Sequence, residues 1–515
     1  MKMGDSFDLM FQKIGGFLKF LLKFLKNIPK YIFGNFHGRY IPLLMVYFAY
    51  GASGFAGIAE TFWVKKELHL SAEALAGIAF WVGIPWTIKM VFGQFADSIR
   101  IFGAGRKIYI FIGASLIAAG QMVMIGLSLK SPWLLQFGSP GMLYLLSSVI
   151  GAVGFVLQDV IADAMSTEVV NRQTGVEVQG KIRTQDDIET ELKHIQWLGR
   201  VALMMAGIIV AGLGGWLAAI YEYSTIFTLA LFIPLVSITG AIFVKLNPVP
   251  KTPINWWVLG GGIVFGAFAI SMGYFDIPYC QEVVFTVSLT TVCFLLYRMG
   301  MTKFLAYAAI TLFLYRAIPG PGPGVGWWMI DVLKFNEAFQ GTLQQTGAIC
   351  GLAGLFIFRK YITEKPIAFT LVWLTIAGAI FSLPTIGMYY GIHTMLGLSA
   401  KTVAFVDTTI AAPLGQLSMV PMLALIARTC QTGHAGTTFA LMASLMNLAL
   451  SAGALGTRYL NHYWIVTREL KNAAGVIVTQ ADYGNVGILM IITTIMGLII
   501  PLAAIYFFLR KSLTK

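Results

Sequence analysis

Apolar runs long enough to cross a bilayer recur along the whole of this 515-residue chain, and few charges interrupt them. A helix rises about 1.5 Å per residue, so a run of about 20 residues spans the hydrocarbon core. Lipid offers no partner to a backbone N–H or C=O, which leaves the helix as the default spanning element. With 57% hydrophobic and only 11% charged residues, the composition excludes a water-soluble protein of this size. The chain reads as an all-α polytopic membrane protein.

The runs fall at 41–63, 74–97, 108–129, 141–163, 196–219, 224–244, 255–275, 281–298, 303–328, 338–359, 366–388, 402–427, 433–457 and 485–509. That makes about 14 spans, and an even number puts both termini on one side. Arg100, Arg106, Lys107, Lys181, Lys245, Arg298, Lys303, Arg510 and Lys511 gather in loops on that side. The positive-inside rule then predicts cytoplasmic termini in a cell (inner) membrane. It also accounts for the net charge of +13 with no nucleic acid as partner. Within residues 1–40, Lys19, Lys23, Lys26 and Lys30 share one helical face opposite Phe11, Leu18, Leu22 and Leu25. An amphipathic helix on the cytoplasmic membrane surface is expected there. The four cysteines lack CxxC or metal-ligand spacing, so no metal and no cofactor are expected.

A faint repeat divides the chain. "ETFWVKKELHLSAEALAGIAFWVG", after the first span, resembles "GWWMIDVLKFNEAFQGTLQQTGAI" after the ninth. Residues 41–244 and 303–515 then form two six-helix halves, and 245–302 is a linker with two extra spanning helices. This is the layout of a major-facilitator (MFS-type) fold. Two longer loops remain: 164–195, a charged segment expected to be helical, and 458–484, which could hold a short strand pair.

An ionisable group within a span is costly unless paired or hydrated, and so marks a functional site by default. Lys89 lies in "VGIPWTIKMVFGQFAD", about 12 Å inside the Asp97 boundary. Asp159 and Asp163 in "LQDVIADAMSTE" share a helix face, and Asp159 has the depth to meet Lys89. That pair is either a structural ion pair or part of a solute or proton site. Gly93, Asp97, Arg106, Lys107 and Glu168 suggest a latch, or gate, on the cytoplasmic side. In "LYRAIPGPGPGVGWWMID", Arg316 falls near mid-span, and three prolines then remove backbone donors. A broken span lining a cavity is expected; the other reading ends the helix at Ile318 and makes the Pro-Gly run a loop. Lys89, Arg316 and Glu60 are the candidate solute-binding residues, and Asp159 and Asp163 the candidates for proton coupling.

"PWTIK…GQFAD…IFGAGRKIY" resembles the signature of the folate–biopterin transporter family of the major facilitator superfamily, through Pro85, Trp86, Lys89, Gly93, Asp97, Gly103, Arg106 and Tyr109. "QDVIADAMSTE" is similar to a second family segment through Asp159, Asp163 and Glu168. "GHAGTTFALMASLMN" is similar to a third through Gly436, Thr437, Phe439, Ala440, Leu441 and Asn447. The chain departs at Arg100, Ala104 and Ile108, where the family has Pro, an aromatic and Pro, and at Ala435, where it has Glu. Muropeptide permeases and acetyl-CoA transporters share the second and third segments. The resemblance implies a secondary active transporter, not an enzyme. It would move a small anionic, folate- or pterin-like solute by alternating access with proton symport, as a monomer in the lipid bilayer. The rival class is a transport-inactive scaffold or assembly factor that keeps the fold.

Overall fold

The computed structural model describes residues 38–509, apart from 104, 172, 176, 179–180, 183, 248–252, 276, 299, 359–360, 362–364, 416, 430–434 and 472–475. Nearly all of the expected surface helix within residues 1–40 lies outside the described residues.

Among the described residues, twelve helices are long and apolar enough to cross a membrane. In the first half these are α1 (Gly38–Glu67), α2 (Ala72–Ser98), α3 (Lys107–Ser128), α4 (Pro140–Glu168), α5 (Gln185–Ala218) and α6 (Tyr223–Phe243). The inserted pair is α7 (Trp256–Tyr274) and α8 (Cys280–Arg298). The ninth expected span is broken into α9 (Lys303–Arg316) and α10 (Gly324–Asp331), and neither piece alone crosses a membrane. The tenth is α11 (Glu337–Ile357), whose Gln340, Gln344 and Gln345 keep it below the apolarity of a free-standing span. Then follow α12 (Ile367–Tyr389), α13 (Ala400–Gly415), α14 (Met419–Thr429), α15 (Ala435–Tyr463) and α16 (Val486–Ala504). The twelfth expected span, which counts as one of the twelve over Ala400–Ile426, is interrupted between α13 and α14, beyond Pro413.

Local chemistry sets the helix starts. The hydroxyls of Ser71, Ser139 and Thr302 and the carboxamides of Asn255 and Asn336 accept from free backbone N–H groups of α2, α4, α9, α7 and α11. A capping box, Thr184 with Asp187, starts α5 at Gln185, well before the expected 196. The extra turns bury Ile188 and Ile195, so part of the charged loop is the first part of a span. Before it stands a two-residue hairpin, β1 (Glu177–Val178) with β2 (Lys181–Ile182). A second hairpin, β3 (Leu470–Lys471) with β4 (Ile477–Thr479), fills the loop before α16, where a strand pair was anticipated.

Each half has a core at either end of its bundle: Tyr40, Tyr47, Tyr109 and Ile161 at the end where the described chain begins at Gly38, Trp63, Leu68 and Phe227 at the distal end. The second half repeats this with Leu312, Leu425 and Met442, and with Trp327, Trp328 and Leu489. Two seams join the halves, α2 against α15 and α5 against α11. Glycine lets the second seam close. A Cβ at Gly215 would lie 2.5 Å from the Gly341 Cα. The inserted pair flanks the first seam: Gly262 sits against Val91, and the Gln281 amide donates to the Gly77 carbonyl at 3.3 Å. Its other face, with Trp257 and Ile270, is exposed and suited to lipid.

Candidate functional site

Pro85 interrupts α2, and the helix restarts at Lys89 after Ile88 leaves helical geometry. This restart aims Lys89 at α4, where its ammonium is ion-paired with Asp159. Asp159 is almost fully buried, so the pair removes an otherwise prohibitive charge from the span. One turn on, Asp163 accepts from the Tyr47 hydroxyl at 2.9 Å and lies 3.6 Å from the Arg200 guanidinium. The sequence reading named neither Tyr47 nor Arg200. A Cβ at Gly93 would meet Val160 at 3.6 Å, so α2 passes close to α4 here.

At the end where the described chain begins, the Arg106 guanidinium bridges the carboxylates of Asp97 and Glu168. The Glu168 carbonyl accepts from the Asn247 N–H at 2.9 Å and amide at 2.7 Å, and Lys107 donates to the Ile242 carbonyl at 3.1 Å. These bonds tie the start of α3 to α2, α4 and α6, and α4 to the segment after α6. The cluster clamps the first half to itself rather than to the second half.

In the second half α9 ends at Arg316, and residues 317–323 run without helix to α10, turning at Gly322 with φ of +88°. The Gly320 N–H donates to the Thr457 hydroxyl at 2.8 Å, and the Asn461 amide donates to the Pro321 carbonyl at 3.3 Å. Side chains of α15 therefore satisfy backbone groups that the break frees. Arg316 donates to the Met419 sulfur at 3.6 Å and has no ion pair among the described residues. Among the described residues, no hydrogen bond joins it to Lys89, whose partner is Asp159. A cavity of about 500 Å³ opens beside the break, lined by Tyr315, Pro319, Thr375, Thr385 and Thr494.

Glu60 faces a second cavity, of about 290 Å³, inside the first half, with Tyr50, Trp86, Gln121 and Phe155. One carboxyl oxygen accepts from the Tyr144 hydroxyl at 2.7 Å.

Among the described residues, bonds between the halves concentrate at the distal end. Lys65 meets Asp331 at 2.5 Å, and Tyr483 donates to the other Asp331 oxygen. Glu337 accepts from Tyr223 at 2.7 Å and lies 3.8 Å from Lys66. Glu73 holds Arg458 at 3.4 Å and His462 at 3.1 Å. Arg468, in the loop carrying β3 and β4, donates to the Val64 carbonyl at 2.8 Å, to that of Leu68, and to that of Leu70 at 3.2 Å. Its guanidinium lies 4.7 Å over the Trp327 ring. Burial lowers the Arg468 pKa from the ordinary arginine range to about 10, and burial with the Asp331 bond raises that of Tyr483. Toward mid-depth, the Asn447 amide donates to the Trp86 carbonyl at 3.0 Å and Gln345 to that of Ile208 at 3.3 Å.

The profile of the BT1 family matches residues 51–514. The chain is 23% identical over 492 residues to the folate-biopterin transporter of Synechocystis sp., covering 93% of this chain and 83% of that one. Folate transporter 1 of Plasmodium falciparum is 20% identical over 422 residues, with 82% and 71% covered. Among solved structures, a POT family transporter in complex with 5-aminolevulinic acid aligns with TM-score 0.63 at 15% identity, over 91% of this chain and 96% of that one. A D-xylose-proton symporter aligns with TM-score 0.56 at 13% identity, over 92% and 97%. Those two likenesses speak for the fold alone, a major-facilitator bundle. The chain belongs to the BT1 family and is a multi-pass membrane transporter, not an enzyme.

Proposed function

We propose that this transporter moves a folate- or pterin-like organic anion by alternating access, driven by protons. The observation that carries the reading is a seal that, among the described residues, is one-sided. Lys65–Asp331, Arg458–Glu73 and the Arg468 contacts lock the halves at the distal end. The Arg106 clamp at the other end stays within one half. A carrier caught in one of two alternating states has this asymmetry. The names of the curated relatives supply the solute class.

In this reading Arg316, with only a thioether as acceptor among the described residues, takes a carboxylate or phosphate of the solute. Lys89 does so once released from Asp159. Asp159 and Asp163, one turn apart beside Lys89 and Arg200, take up the driving proton. Protonation of either would weaken its pairing and loosen α4 from α2 or α5. The protein works as a monomer in a cell (inner) membrane, with cytoplasmic termini.

The test is uptake of labelled folate and pterin into liposomes holding the purified protein, with and without an imposed pH gradient. Gradient-driven accumulation that Asp163→Asn abolishes, while solute exchange persists, supports the reading. Folded protein that carries neither solute overturns it. Equal accumulation by wild type and Asp163→Asn removes Asp163 from coupling.

A further inference from the structure

The cavity around Glu60 is a compact site with unfilled hydrogen-bonding capacity. Some of its polar groups are committed. Ser147 donates to the Gly120 carbonyl at 2.8 Å, Ser148 to that of Tyr144 at 2.9 Å, and Tyr144 to one Glu60 oxygen at 2.7 Å. Besides the Tyr50 and Ser53 hydroxyls, which can donate as well as accept, two acceptor oxygens remain. The second Glu60 oxygen has no hydrogen bond or ion pair among the described residues, and the Gln121 amide oxygen is buried with no partner. A buried acceptor without a donor is costly, and a carboxyl within a span more so. Both acceptors line one cavity of about 290 Å³. Aromatic rings form part of its wall: Tyr50 lies 6.4 Å from Trp86 and 6.5 Å from Phe155, both tilted.

We propose that this cavity is the subsite for a flat heteroaromatic ring with adjacent N–H donors, the amidine edge of a 2-amino-4-oxopyrimidine. Glu60 takes two parallel N–H bonds from that edge, which suit a carboxylate's paired oxygens. Gln121 takes the second hydrogen of the exocyclic amine. Tyr50, Trp86 and Phe155 supply aromatic surface against which a planar ring packs. The volume accommodates a bicyclic ring but not a whole folate, so the acidic tail lies outside the cavity. The inference rests on the folate- or pterin-like reading above and assigns it a ring-recognising side chain.

The experiment is competition against labelled folate uptake in liposomes by unlabelled pterin and by lumazine, which has a carbonyl in place of the 2-amino group. Pterin is expected to compete about 100-fold better than lumazine, because a site built for a donor rejects the analogue lacking it. Glu60→Gln should shrink that gap to less than about 10-fold. Gln121→Leu should narrow it too, and serves if the Glu60 variant fails to fold. Folate uptake with equal competition by both compounds overturns the subsite and leaves the solute reading standing. A gap that persists unchanged in a folded Glu60→Gln protein likewise overturns it. Absence of folate and pterin uptake from folded protein overturns both.

Discussion

Lys65 and Asp331 lie 266 positions apart, and their charged atoms meet at 2.5 Å across the boundary between the halves. Each stands at the distal end of its element, α1 and α10, so the bond closes the bundle there. Asp331→Asn should weaken the sealed state by about 1 kcal/mol, roughly fivefold in population. The readout is labelling by a membrane-impermeant thiol reagent of a cysteine placed at Ser53, which lines the Glu60 cavity, in a background without native cysteines. Labelling from the distal side should rise, and the exchanged pair Lys65→Asp with Asp331→Lys should return it toward wild type.

The Lys89–Asp159 pair should show the opposite pattern, in which fold and transport separate. Asp159 is 7% exposed at its side chain, so Lys89→Met alone strands a buried carboxylate at a cost of about 3 kcal/mol. Adding Asp159→Asn removes the stranded charge and should recover most of the lost thermal stability. Transport should not recover, because both the cation and the acid are gone. Thermal unfolding and liposome uptake, measured on the same preparations, decide this. Recovery of both would make the pair purely structural.

The seam between α5 and α11 predicts a steric trap. A Cβ at Gly215 would lie 2.5 Å from the Gly341 Cα and 2.7 Å from the Glu337 carbonyl oxygen. Neither backbone atom can move aside as a flexible side chain would. Gly215→Val should therefore hold the distal end open and raise distal labelling at Ser53→Cys at least severalfold. Gly261, with nothing within 4 Å of its would-be Cβ, is the control, and Gly261→Val should leave labelling unchanged.

What was legible in the sequence follows from the physics of the bilayer. Spans show because their length is fixed by lipid, and the break after Arg316 shows because Pro319, Pro321 and Pro323 remove donors. Lys89 and Asp159 stand out because charge is rare inside such runs. The distal lock was not legible. Lys65, Asp331 and Glu73 sit at helix ends, where charges are ordinary, and nothing local says which one crosses to the other half. Tyr144, the partner of Glu60, is 84 positions away and looks like any interfacial tyrosine. The Arg106 cluster was legible as residues but not in its reach: the motif suggests a gate, while its bonds stay within one half.

Arg468 carries the last prediction, since it binds backbone rather than a carboxylate. It is 2% exposed, and its bonds to the carbonyls of Val64, Leu68 and Leu70 gather at the C-terminal end of α1, where the helix dipole favours a cation. Arg468→Lys keeps the charge but loses the planar fork and the stacking on Trp327, so it should behave more like Arg468→Ala than like wild type. Both should raise distal labelling more than Asp331→Asn does, because they release three acceptors at once. The sign of the pH response also follows. Burial pushes the Arg468 pKa down to about 10, still above the working range, so it stays charged from pH 6 to 8 and its contribution to the seal is constant there. If labelling of the Arg468 variants and of wild type differs by the same factor at pH 6 and pH 8, any pH dependence of transport arises elsewhere, with the acids beside Lys89 and Arg200 as the first place to look. A factor that changes across that window would mean that this loop takes part in proton coupling.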